Sequence, residues 1–140
     1  MPLAMDSNKN PFLSALKVLV VDDEEDVLVI TRLMLELLGA EVITSLTAVE
    51  GLEQVQMQRL DLIISDISMP HMDGYQFIQA VRNLPADKGK DIPAVALSVL
   101  SEGEAQIKAI NAGFQKYLCK PVRLAMLIGT VAGVAGNQPR

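Results

Sequence analysis

Cysteine is almost absent from this 140-residue chain: Cys119 stands alone. No internal disulfide can form, a cysteine-rich metal site is excluded, and a reducing compartment is the expected home. Histidine is equally scarce. Its one copy, His71, lies in a turn beside Pro70 and Gly74, where a solvated loop residue is expected rather than a metal ligand or phosphohistidine. Basic runs are missing, and the formal net charge is −5. A nucleic-acid surface needs clustered Lys and Arg to displace phosphate counterions, so nucleic acid is not an expected partner. Long hydrophobic runs are missing too. The most apolar stretch, 124–136, is broken by Gly129, Thr130 and Gly133 and falls short of the ~20 residues that span a bilayer. Residues 1–12 mix Asp6, Asn8, Lys9 and Asn10 with Pro2 and Pro11, and lack the apolar core of a secretory signal. A cytoplasmic protein without membrane contact is the expectation.

Half of the residues are hydrophobic and 21% are charged, which is a globular rather than a disordered composition. The length suits one domain. The expected organisation is an N-terminal tail over 1–15, a domain over 16–135 and a C-terminal tail over 136–140.

Within the domain, short apolar runs alternate with helical segments. Residues 17–21 form a β-branched run that reads as a strand buried on both faces. A helix is expected over 26–38, stopped by Gly39. A strand at 41–45 and a helix at 47–58 follow, with Thr47 as N-cap and Glu50 as its capping-box partner. Then come a strand at 62–65, a helix at 75–83, a loop at 84–91, a strand at 93–97, a helix at 101–112 closed by Gly113, a strand at 116–119 and a helix at 123–134. Five strand–helix alternations with short connections predict an α/β fold, a doubly wound five-stranded parallel sheet with helices on both faces. In such sheets, sites form outside the carboxyl ends of the strands.

The residues at those ends carry chemistry. Asp22 and Asp23 follow the first strand, Asp66 the third, Ser98 the fourth and Lys120-Pro121 the fifth. Crowded carboxylates repel and raise one another's pKa unless a cation lies between them. A hard divalent ion such as magnesium, which takes oxygen ligands, answers that need. It would also neutralise charge in a phosphoryl transfer, with Lys120 and Ser98 placed to grip phosphoryl oxygens as a point charge and a hydrogen-bond donor.

The segments Val20-Val21-Asp22-Asp23-Glu24, Ser65-Asp66-Ile67-Ser68-Met69-Pro70-His71-Met72-Asp73-Gly74, Ala96-Leu97-Ser98 and Tyr117-Leu118-Cys119-Lys120-Pro121 resemble the receiver domain of two-component response regulators. The match covers about 16–135, in order and spacing. The resemblance implies a flavodoxin-like (βα)5 receiver fold in which Asp66 accepts a phosphoryl group from a histidine kinase or histidine phosphotransfer domain. It further implies magnesium held by Asp23, Asp66 and the Ser68 backbone carbonyl, with Asp22 acting through water. Lys120 would contact the phosphoryl group, with its bond to Pro121 cis. Ser98 and Tyr117 would form the switch pair.

Plainer readings stand beside these. Residues 22–26 also suit an acidic helix N-terminus favoured by the helix dipole. Met69-Pro70 and Asp73-Gly74 read as turn chemistry, Cys119 as a buried strand residue, and Tyr117 also as simple packing. Val99, after Ser98, is bulkier than the residue receivers usually carry and is expected to narrow access to Asp66. Leu100 cannot orient a water, which predicts a long-lived phosphorylated state. Leu28 and Leu35 share a helix face with Arg32 and Glu36, an arrangement that suggests docking to a kinase or phosphotransfer helix. The last helix has almost no polar face, which suits packing against a neighbouring domain or a second copy. Two rival functions are a pseudo-receiver that binds protein without phosphate and a small magnesium-dependent aspartyl phosphatase. The phosphatases carry a second Asp two residues after the nucleophile, where this chain has Ser68. Both a stand-alone regulator and the receiver of a hybrid histidine kinase fit the chain.

Overall fold

A computed structural model describes residues 16–99 and 103–136. The elements run in chain order β1 (Lys17–Val21), α1 (Glu25–Leu37), β2 (Glu41–Ser45), α2 (Ala48–Met57), β3 (Leu62–Asp66), α3 (Gly74–Arg82), a 3-10 turn (Ala86–Lys88), β4 (Ala94–Ser98), α4 (Glu104–Ala112), β5 (Lys116–Cys119) and α5 (Leu124–Gly136). The strands form one parallel sheet in the order β2-β1-β3-β4-β5. The expected doubly wound sheet is therefore the observed one, with most boundaries within two residues. Both chain ends (1–15 and 137–140), Leu100 and the first residues expected in the fourth helix, 101–102, lie outside the described residues. The last helix reaches Gly136, one residue past the expected domain end.

Strand alternation sends Val18 and Val20 into one core and Leu19 and Val21 into the other. The first core adds Leu28 and Leu35 of α1 and Leu127 and Val131 of α5. The second adds Val55 of α2, Phe77, Ile78 and Val81 of α3 and Ala109 of α4. Covering on both faces is why the inner strands β1, β3 and β4 are nearly uninterrupted apolar runs rather than alternating ones.

Here the expectation for α1 fails. Leu35 is fully buried and Leu28 is 6% exposed, so both are core residues rather than a docking pair. The exposed apolar residues are Val29, Ile30, Leu33 and Leu37, the last three spaced three and four apart on an adjoining face. A helix apolar on nearly every side gives its sequence period little power to choose the buried face.

Caps and close contacts then place the strand ends. Thr47 Oγ1 accepts from Glu50 N at 3.1 Å, so it is the expected N-cap, but the expected return bond from the Glu50 side chain is not formed. The reciprocal capping box forms at α3, where Asp73 Oδ1 accepts from Gln76 N at 2.9 Å and Gln76 Oε1 accepts from Asp73 N at 3.0 Å. Gly74 must lack a side chain: a Cβ there would overlap the Asp66 carbonyl oxygen and lie 2.7 Å from Ile67 Cα. Its N–H instead donates to the Ile67 carbonyl at 2.8 Å, pinning α3 against the end of β3.

At the other end of α3, Arg82 clamps three segments. Its guanidinium donates to the carbonyls of Gly113 (3.0 and 2.8 Å), Lys90 (2.8 Å) and Ile92 (2.6 Å), and to Gln115 Oε1 (3.2 Å). Gln115 Oε1 also accepts from Ala94 N at 2.7 Å. The entry to β4 and the turn into β5 are thereby held to α3.

Candidate metal and phosphoryl site

Register brings the acids together. Val21 pairs with Ser65, so Asp22 and Asp66 emerge level at the carboxyl ends of adjacent strands. The chain leaves β1 toward β2 on one side and returns to β3 on the other, which opens a crevice between β1 and β3. One carboxylate oxygen from each of Asp22, Asp23 and Asp66 lies within 4.8 Å of the other two. Asp22 is fully buried, Asp66 is 3% exposed, and Asp23 faces solvent.

Lys120 completes the cluster. Its backbone N–H donates to the Ser98 carbonyl at 2.7 Å, and its bond to Pro121 is cis, as the resemblance implied. Its ammonium lies 2.9 Å from Asp22 Oδ2, 3.2 Å from Asp66 Oδ1 and 3.5 Å from Glu24 Oε1. Asp22 Oδ1 accepts from Glu24 N at 2.9 Å. Asp22 Oδ2 is buried, with the Lys120 ammonium 2.9 Å away as its ion-pair partner.

The electrostatics show a cluster short of positive charge. Burial pushes the Asp66 carboxyl up to about 6, helped by the charge of Asp22 and a hydrogen bond with Asp23 and opposed by Lys120. Burial pulls the Lys120 ammonium down, but its bonds and charge pairing with Asp22 and Asp66 outweigh this and hold it above its ordinary value. Three acids and one lysine leave an excess of negative charge. An all-oxygen donor set this compact, with three carboxylates to one buried ammonium, fits a hard divalent cation.

Ser98 ends β4 and is 1% exposed. It pairs with Cys119, while Ala96 pairs with Tyr117, so Ser98 and Tyr117 project to the same face of neighbouring strands. Tyr117 is half-buried against the α2–α4 side core. Cys119 is half-buried rather than buried, because β5 is an edge strand. Ser68 and His71 are exposed in the loop after β3, with His71 at φ 69°. Val99 is 70% exposed and lines a cleft of about 310 Å³ with Val27, Met34 and Val122, at whose polar end sit Glu24 and Lys120.

Two contributions escaped the sequence reading. Glu24 was legible as part of the acidic run, but nothing in the run marked it as a partner of Lys120. Tyr75 lies near Tyr117, and Lys108 of α4 sits 4.4 Å over the Tyr75 ring. No linear signal joins residues on α3, α4 and β5.

The profile of the response regulator receiver domain matches residues 18–132. The chain belongs to that family. It is 40% identical over 119 residues to an uncharacterized 14.6 kDa protein of Leptolyngbya boryana, covering 85% of this chain and 89% of that one. It is 37% identical to the transcriptional regulatory protein PrrA of Mycobacterium leprae, over 85% of this chain and 49% of PrrA. It is 32% identical to the sensor protein GacS of Pseudomonas syringae, over 99% of this chain but 16% of GacS. The receiver thus spans about half of one relative and a small part of the other. Among solved structures, the chemotaxis protein CheY4 of Vibrio cholerae superposes with a TM-score of 0.79 at 33% identity, covering 85% of this chain and 98% of CheY4. The receiver domain of the sensor histidine kinase PA1611 of Pseudomonas aeruginosa does so with a TM-score of 0.80 at 25% identity, covering 89% and 100%. That domain holds a magnesium ion in its active site cleft. The receiver family and the flavodoxin-like fold expected from the sequence are therefore both established for this chain, a domain of two-component signalling.

Proposed function

We propose that this receiver accepts a phosphoryl group on Asp66 in a magnesium-dependent reaction and relays a signal by the resulting change of shape. The observation that carries the reading is the meeting of Asp22, Asp23, Asp66 and Lys120 at one sheet edge. Asp22, Asp23, Asp66 and the Ser68 backbone carbonyl would hold the metal. When bound, the ion supplies charge neutralisation for the developing phosphoryl transition state. An Asp66 carboxylate oxygen attacks the phosphorus of a phosphohistidine, the P–O bond forms as the P–N bond breaks, and the departing imidazole takes a proton from solvent. Lys120 and Ser98 then bind phosphoryl oxygens, and the movement of Ser98 lets the Tyr117 ring turn inward.

The donor is a histidine kinase or a histidine phosphotransfer domain, docked on the exposed Ile30, Leu33 and Leu37 face of α1. The protein acts in the cytoplasm as a signalling phosphoacceptor rather than as an enzyme with an external substrate, and among the described residues no helix is long and apolar enough to cross a membrane. The exposed face of α5, with Met126, Gly129 and Gly133, is the surface for a neighbouring domain or second copy.

Incubation with a small acyl-phosphate donor and magnesium tests the reading. Intact-mass measurement should show one adduct on the wild type and none on Asp66→Asn. Absence of an adduct on the wild type would indicate a pseudo-receiver, and sustained turnover of phosphate esters would indicate a phosphatase.

A further inference from the structure

We infer that Glu24 is a positioning residue for Lys120: it receives the ammonium when a divalent cation takes the carboxylate cluster. The inference rests on the metal reading above.

Lys120 Nζ lies 2.9 and 3.2 Å from Asp22 Oδ2 and Asp66 Oδ1, on two of the three carboxylates that would hold the cation. A magnesium ion bonds carboxylate oxygens at roughly 2.0–2.1 Å, so an ammonium on the same carboxylates would face a dication a few ångströms away. That repulsion is strong in a buried site, and Lys120 must withdraw as the metal enters. Its side chain is only 8% exposed, so withdrawal without a partner would strand a buried charge.

Among the described residues, Glu24 is the one further carboxylate within 4 Å of the ammonium. Two features suit it to the task. Its carboxylate makes no cap hydrogen bond to α1 although Glu24 is the N-cap residue, so it is not committed to the helix. Its backbone N–H is tied to Asp22 Oδ1 at 2.9 Å, so its position is set by the metal-site aspartate itself. Glu24 and Lys120 also share the polar end of the 310 Å³ cleft, whose other walls, including Val27, Met34, Val99 and Val122, are mostly apolar. The cleft gives the lysine stem room to swing, and Glu24 is the one carboxylate among its lining residues. Lys120 would thus have successive partners: Asp22 and Asp66 without metal, Glu24 with metal, and the phosphoryl oxygens after transfer.

Calorimetric titration of magnesium into wild type, Glu24→Gln, Lys120→Met and the double variant tests this, with thermal unfolding confirming that each is folded. Glu24→Gln should weaken magnesium binding about threefold, the effect of losing a partly screened ion pair. Lys120→Met should tighten binding, and in that background Glu24→Gln should change it by less than about 1.5-fold, leaving a clear coupling between the two positions. Equal weakening in both backgrounds would show that Glu24 merely attracts cations at long range and would overturn the inference while sparing the metal site. A wild type that binds no magnesium would overturn both.

Discussion

Removing the charge of Asp66 should stabilise the metal-free protein, and by an amount that depends on pH. Its carboxyl is raised from 3.8 to about 6, first by burial and then by Asp22. Each tenfold change in proton affinity is worth about 1.4 kcal/mol, so the ionised form is disfavoured in the folded state by about 3 kcal/mol. Between pH 4 and 6 the unfolded chain has already released this proton while the folded protein retains it. The folded state then binds more protons, and stability falls as pH rises through that window. Above pH 6 the whole penalty is present. Asp66→Asn keeps the shape of the neutral carboxyl and never ionises. Urea unfolding with a chelator present, followed by far-UV circular dichroism, should show the variant and wild type nearly equal at pH 4. At pH 7.5 the variant should be more stable by about 3 kcal/mol, a figure that already includes the opposing charge of Lys120 at 3.2 Å. Saturating magnesium should close most of that gap by stabilising the wild type, since a ligand at a hundred times its dissociation constant adds about 2.7 kcal/mol. A stability difference independent of pH, or a wild type more stable than the variant at pH 7.5 without metal, would refute the charge-crowding argument.

Arg82→Ala removes the five donor contacts that hold Gly113, Lys90, Ile92 and Gln115, leaving carbonyls at the β4 and β5 entries without their partner. Urea unfolding should show a loss of about 2–4 kcal/mol, and a loss below about 1 would mean that water replaces the clamp freely. The double change Ile30→Glu and Leu33→Glu falls on side chains 55% and 49% exposed, so stability should move by no more than about 0.5 kcal/mol per site. Phosphotransfer from a phosphohistidine protein should fall at least tenfold while labelling by a small acyl phosphate stays unchanged, and equal loss of both would remove α1 from the docking surface.

The strand ends were legible because a strand buried on both faces must be an uninterrupted apolar run, so the first polar residue after it marks the sheet edge. That rule alone located Asp22, Asp23, Ser98 and Lys120, and set Asp66 one residue beyond the run Leu62–Ser65; the alternation of elements then implied a parallel sheet with a crevice at one edge. Linear pattern has no such force where a helix is apolar on most sides. In α1, only packing against β1 and β2 decided that Leu28 and Leu35 go inward and Ile30, Leu33 and Leu37 outward.

Tertiary structure alone also decided who partners whom across long separations. The register Val21 to Ser65 sets the acids level, and the turn into α5 carries Lys120 to Asp22, Asp66 and Glu24. Arg82 finds its carbonyls, and Tyr75 its Lys108, only after the helices have docked. Burial is a local property that composition and period encode residue by residue. Charge balance and hydrogen-bond partnership depend on distances of a few ångströms between chain-distant atoms, which exist only once the two cores have closed.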